Sequence, residues 1–265
     1  SEYQIGDLAT IFMTESRIGG RNEPVDLAAS LKGQQDIQKA LETFRDDVWQ
    51  DSAREMIGSE QQSWLTSAME ESKASGTKWQ VWSQQCVMGE LKLPQEAINW
   101  VADDAPAFAK QRLAVGAMAA RIGLPINFDS WDGYPQARER ALSIAQQADA
   151  DLIVLSGDSH NAWAFDLATD DGAAGVEFGG HSVTSPGIES YLTGANPDVA
   201  AKALTETNSQ LQWTDTAHRG YMTVTLTPEK AVSTWHFLDT IRAKSIALTG
   251  SKSRTVLRGT NRIQG

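Results

Sequence analysis

The stretch from Gln136 to His160 constrains the fold of this 265-residue chain more than any other segment. Gln136 to Ala148 has amphipathic helical spacing, and Asp151-Leu152-Ile153-Val154-Leu155-Ser156 has an unbroken apolar centre of strand length. A strand that is apolar throughout must be covered on both faces, as parallel strands in α/β proteins are. The run stops abruptly at Gly157-Asp158-Ser159-His160. Helix, buried strand and polar turn in succession predict an α/β fold with its site where strands end.

Other segments fit this layout. Residues 8–14 form an apolar run of strand length that leads into a loop containing Gly19, Gly20 and Arg21. Gly58-Ser59-Glu60-Gln61-Gln62 predicts a helix start, with Ser59 as N-cap and Gln62 as its capping-box partner, and the helix is expected to reach Ser72. Trp79-Gln80-Val81-Trp82-Ser83 alternates as a strand and leads into Gln84-Gln85. Residues 96–121 carry a helical or lid-like pattern broken near Pro106, and residues 129–135 form a turn cluster. Residues 220–227 and 231–237, joined at Thr227-Pro228-Glu229-Lys230, predict a hairpin. The polar, basic end predicts a division into residues 1–249 and a loose tail, 250–265.

Composition narrows the functional classes. Lys and Arg total 23 against 34 Asp and Glu, a net charge of −11, so nucleic acid and anionic membranes are disfavoured partners. The same charge also serves plain solubility. Cys86 is the single cysteine, which excludes an intramolecular disulfide and a Cys-only zinc cluster. No run approaches the roughly 18 apolar residues of a membrane span, and Ser1 to Asp7 lack the features of a signal peptide. A chain that begins without methionine and enters an apolar run at Leu8 is expected to be cut from a longer protein.

The residues that could carry chemistry are few. Asp158 and His160, two apart in a strand-end turn, can face neighbouring metal ions, the carboxylate suiting a hard cation and the imidazole a transition metal. The same spacing also fits a turn in which Asp158 merely caps the next segment. His181, in a polar loop after Gly179-Gly180, is the second candidate. His218 with Arg219 could approach a phosphate or simply form a surface loop, and His236 alternates on a strand as a structural residue. Cys86 has no cationic neighbour in sequence to activate it, and no Gly-Xaa-Ser-Xaa-Gly elbow, P-loop or dinucleotide motif occurs. Trp64, Trp79 and Trp235 sit on core-facing periodicities.

Six blocks, taken in order, closely resemble the PhoD-like alkaline phosphatase family. They are Gly58 to Leu65, Trp79 to Gln85, Trp131-Asp132-Gly133-Tyr134-Pro135 with Arg138, Leu155 to His160, Val176-Glu177-Phe178 with Thr184-Ser185-Pro186-Gly187, and Arg219-Gly220-Tyr221. The resemblance covers roughly residues 5 to 240. It implies a calcineurin-like metallophosphatase sandwich of two mixed sheets flanked by helices, of which this chain holds the carboxy-terminal half. It also implies hydrolysis of phosphate mono- or diesters with iron and calcium, Asp158 binding the calcium-like ion and His160 the iron-like one. Arg219, whose guanidinium suits bidentate phosphate recognition, and His181 are the substrate-binding candidates, and Trp131, Asp132, Tyr134 and Arg138 either position the loop at the rim of the site or have a purely structural role. Family members are commonly periplasmic or secreted.

The family's earlier metal-binding segments have no counterpart here, and two ligands cannot complete a dinuclear centre. The competing expectation is therefore a non-catalytic structural or binding module. A thiol-dependent hydrolase using Cys86 is a third. Unpaired strand edges would also permit a homo-oligomer.

Overall fold

The computed structural model describes residues 1–190 and 192–264. Its strands are β1 (Glu2–Ile5), β2 (Ala9–Met13), β3 (Trp79–Ser83), β4 (Leu152–Ser156), β5 (Ala162–Thr169), β6 (Gly172–Gly179), β7 (Leu211–Asp215), β8 (Gly220–Leu226), β9 (Lys230–Leu238), β10 (Leu248–Leu257) and β11 (Ile263–Gln264). The helices are α1 (Leu27–Leu31), α2 (Ile37–Thr43), α3 (Gly58–Ala74), α4 (Ala107–Arg121), α5 (Pro135–Gln147) and α6 (Pro197–Thr207).

Among the described residues the strands form a seven-stranded sheet, in the order β1-β2-β3-β4-β6-β5-β7, and a four-stranded sheet, β11-β10-β9-β8. The first is mixed: β2, β3, β4 and β6 run parallel, while β1, β5 and β7 pair antiparallel. The second sheet is antiparallel throughout, which corrects the expectation of two mixed sheets. Its strands follow one another through short connections, and such connections join antiparallel neighbours only.

Alternation along the central strands sorts the core into two layers. Val81, Ile153, Val176 and Phe178 face the second sheet, where they meet Ala231, Trp235 and Val256. Trp82, Leu152 and Val154 face the other way, toward Leu65 and Met69 of α3 and Leu142 and Ala145 of α5. Phe178 and Trp235 pack edge to face at 5.8 Å across the sheet interface. Burying a side chain of this size stabilises the fold by about 2–3 kcal/mol. The continuous apolar centre of residues 151–156 thus reflects cover by a sheet on one face and helices on the other.

Several expected elements sit where predicted, including β2, β3, β4, α5 and the β8–β9 hairpin. The start of α3 differs. Its N-cap is Ile57, without a side-chain cap bond, and no Ser59–Gln62 capping box forms. Gly58, at φ +75°, lies against Gly20 and turns the chain there. Gln61 instead accepts from Glu15 N at 2.8 Å and donates to the carbonyls of Glu15 and Ile57.

The tail is also not loose. β10 pairs with β9 over most of its length, β11 closes the sheet edge, and Val256 is buried. The Gly259 amide donates to Asp151, and Asn261 Nδ2 lies 3.3 Å from the Ala150 carbonyl. Backbone pairing holds a strand whose central residues, Ser251 to Arg254, are polar, and those residues carry no apolar signal.

Candidate active site at the carboxyl edge of the parallel strands

Because β2, β3, β4 and β6 are parallel, their carboxyl ends share one edge. That edge carries Thr14 to Arg17, Gln84 to Cys86, Gly157 to His160, and Gly180 with His181. Main-chain bonds stitch these ends together: Gln84 N to Leu155 O at 3.0 Å, Gly157 N to Gln85 O at 3.1 Å and Gly180 N to Ser156 O at 2.8 Å.

The turn after β4 is conformationally unusual. Asp158 and His160 have φ of 63° and 62°, in the left-handed region that non-glycine residues seldom occupy. Each costs of order 1 kcal/mol, and such outliers cluster at functional sites. The Asp158 side chain is exposed and that of His160 half-buried. His160 Nδ1 lies 2.9 Å from the Pro186 carbonyl, and Trp163 Nε1 donates to Ser159 Oγ at 2.6 Å.

Arg219 and His181 are placed differently from expectation. Arg219 is buried, and its guanidinium donates to the carbonyl of His160 and to Glu189. Each terminal nitrogen makes one hydrogen bond to protein, and Nε, also buried, makes none. His181 is buried beside Phe237, ring centroids 5.8 Å apart, and neither ring nitrogen makes a hydrogen bond, although the His236 carbonyl is near. Burial lowers its pKa to about 4, so it is neutral at pH 7. His218 bonds Asp215 at 2.8 Å on the surface, and His236 stacks on Tyr221 at 4.7 Å on the outer face of the second sheet.

Behind the edge lies a network of buried polar groups. Glu177, fully buried on β6, accepts from Ser156 Oγ at 2.5 Å, Met88 N at 2.8 Å and Gly89 N at 2.7 Å. Burial pushes its carboxyl up despite these bonds. Buried Arg138 donates to the Met88 carbonyl at 2.7 Å, and Trp131 Nε1 to Gln84 Oε1 at 3.0 Å. Asp132, also buried, accepts from Leu91 N at 2.8 Å, and desolvation raises its pKa to about 7. These side chains hold residues 84–91, and with them the edge, against the sheet. A carboxylate inside the apolar run Val176-Glu177-Phe178 was the sequence signal for this support.

Contacts from the loop after β2 were not legible in sequence. Arg17 Nη1 lies 3.3 Å from Cys86 Sγ and 3.0 Å from Asp129 Oδ2. Burial raises the Cys86 thiol pKa, and the charge of Asp158 adds to that shift, against the pull of Arg17 and Ser16. A thiol held protonated is a poor nucleophile.

Among the described residues no three His, Cys, Asp or Glu side chains converge as a metal-binding group. Asp158 and His160 alone do not fit a dinuclear centre, which needs several ligands per ion.

The sequence model of the PhoD-like phosphatase family matches residues 1–235. The chain belongs to this family. It is 30% identical over 184 residues to alkaline phosphatase D of Bacillus subtilis (strain 168), a match that covers 67% of this chain and 26% of that protein. A solved structure of PhoD superposes with a TM-score of 0.65 at 20% identity, covering all of this chain and 43% of that one. A purple acid phosphatase, PPD1 from yellow lupin (Lupinus luteus) seeds, matches with a TM-score of 0.43 at 9% identity, over 96% of this chain and 32% of that one. The chain therefore spans about a quarter of the curated relative and under half of the PhoD structure. Among the described residues no helix is long and apolar enough to cross a membrane.

Proposed function

We propose that this PhoD-like chain forms the carboxy-terminal half of a metal-dependent phosphatase domain that cleaves phosphate mono- or diesters outside the cytoplasm. Asp158 and His160 are the ligands it contributes, Asp158 toward a calcium-like ion and His160 toward an iron-like one. The remaining ligands come from polypeptide beyond these 265 residues. The observation that carries this reading is the left-handed turn that sets Asp158 and His160 at the carboxyl edge of four parallel strands. The short coverage of the relatives supports a divided site.

A second reading, a non-catalytic binding or structural module, is favoured by the lack of a third ligand among the described residues.

Metal content and turnover of a chromogenic phosphomonoester and diester separate the two. They are measured on this chain and on a chain extended to the length of its relatives, each with and without Asp158→Ala. The extended chain is expected to hold metal and turn over, and Asp158→Ala to lower turnover by about a hundredfold or more, the upper range for losses around metal ligands. An extended chain that is folded, metal-free and inactive would select the module instead.

A further inference from the structure

We infer that Arg219, Glu189 and the Pro186 carbonyl form a clamp that holds His160 in the Nδ1-protonated tautomer and leaves the Nε2 lone pair uncommitted, an inference that rests on the reading of His160 as a metal ligand. A main-chain carbonyl only accepts hydrogen bonds. With Pro186 O 2.9 Å from Nδ1 of His160, that nitrogen carries the proton. The lone pair of the neutral ring is then on Nε2, which is the arrangement metal-bound histidines adopt when a carbonyl holds the other ring nitrogen.

The clamp fixes the backbone as well as the ring. The His160 carbonyl accepts from Arg219 Nη1 and, at 3.3 Å, from Ser182 N. The other terminal nitrogen of Arg219 donates to Glu189, whose Oε1 accepts from Gly187 N at 2.9 Å. Asn161 Oδ1 accepts from Ile188 N at 3.0 Å. One guanidinium thus joins the left-handed His160 to the segment that carries Pro186. A Cβ at Gly187 would lie 2.6 Å from Arg219 Nη2 and 2.7 Å from Asn161 Oδ1, so only glycine lets the segment approach this closely. The Thr184-Ser185-Pro186-Gly187 block and Arg219, both conspicuous in sequence, acquire one shared task. They are positioning residues that act through His160.

Long-range proton–nitrogen NMR of the isotopically labelled, metal-free chain reads the tautomer directly, with the His160 signals identified by their loss in His160→Gln. The wild-type chain is expected to show His160 protonated on Nδ1 alone when its ring is neutral. Arg219→Gln and Glu189→Gln are expected to shift it to a mixture of tautomers while the signals of His236, outside the clamp, stay in place. A side chain that only stapled the loop would leave the tautomer unchanged. Should Arg219→Gln fail to fold, Glu189→Gln, at a partly exposed position, and the wild-type tautomer still decide the matter.

His160 protonated on Nε2 in the wild type, or a pure Nδ1 tautomer in folded Glu189→Gln, overturns the clamp. The result is separable from the hydrolytic reading. An extended chain without metal or turnover, but with Nδ1-protonated His160, keeps the clamp and loses the function. Turnover with Nε2-protonated His160 does the reverse.

Discussion

At the residue scale, Asp132 shows how a buried carboxyl makes this fold sensitive to pH. Desolvation lifts its pKa from about 4 to about 7 in the folded chain, while the unfolded chain keeps the ordinary value. Below pH 4 the group is protonated in both states and contributes no difference. Between pH 4 and 7 only the unfolded state ionises, so unfolding releases a proton and stability falls as pH rises. Above pH 7 both states are ionised and the contribution is constant. Asp132→Asn keeps an oxygen for the Leu91 amide but cannot titrate. The variant is expected to gain on the wild type by roughly a few kcal/mol between pH 4 and pH 8. Urea unfolding of both proteins at pH 4, 5.5 and 8 measures the gain, and a difference that does not change with pH would remove Asp132 from this role.

At the scale of elements, the polar tail makes the clearest prediction. β10 lines β9, Val256 is buried, and the turn beyond places Gly259 N on Asp151, a buried carboxylate otherwise reached by Lys73 at 3.3 Å. Removing residues 248–265 is expected to cost about 3–5 kcal/mol through lost burial and an under-bonded carboxylate, lowering the melting midpoint by about 10 °C. Thermal unfolding followed by circular dichroism checks this, and an unchanged midpoint would mean the tail is loose after all. The same element shows what sequence conceals. β4 was legible because Leu152 to Leu155 are apolar on both faces, and α5 because its spacing is helical. β10 was not, because Ser251, Lys252, Ser253 and Arg254 form a strand through backbone pairing on a sheet whose outer face meets water. The site divides similarly. Asp158 and His160 could be found from a glycine-led turn after a buried strand, but the fate of Arg219 could not. Whether a guanidinium meets solvent or a carbonyl 59 residues away depends on packing that no local pattern records.

At the scale of the whole molecule, stability is expected to be uneven, because the apolar interior is not one body. The two layers around the large sheet are extensive, whereas Leu41, Phe44, Trp49, Ala119 and Leu124 form a small separate cluster under α2, the π-helical turn Phe44–Trp49 and α4. α1 buries no residue at all. Trp49 Nε1, bonded to the Asp132 carbonyl at 2.8 Å, ties this cluster to the support behind the strand edge. Elements with little buried apolar area open locally at low free energy, whereas central strands exchange their amide protons only on global unfolding. In native-state hydrogen exchange, amides of residues 27–48 are therefore expected to open below about 2 kcal/mol, those of β3, β4 and β6 near the full stability of about 5–15 kcal/mol. Equal protection in the two regions would show that the small cluster is fused to the main core and opens only with it. If the difference is found, the turn with Asp158 and His160 stands on the most stable part of the molecule, so its left-handed backbone is maintained by strands that do not open, and motion near the site must come from the helical side.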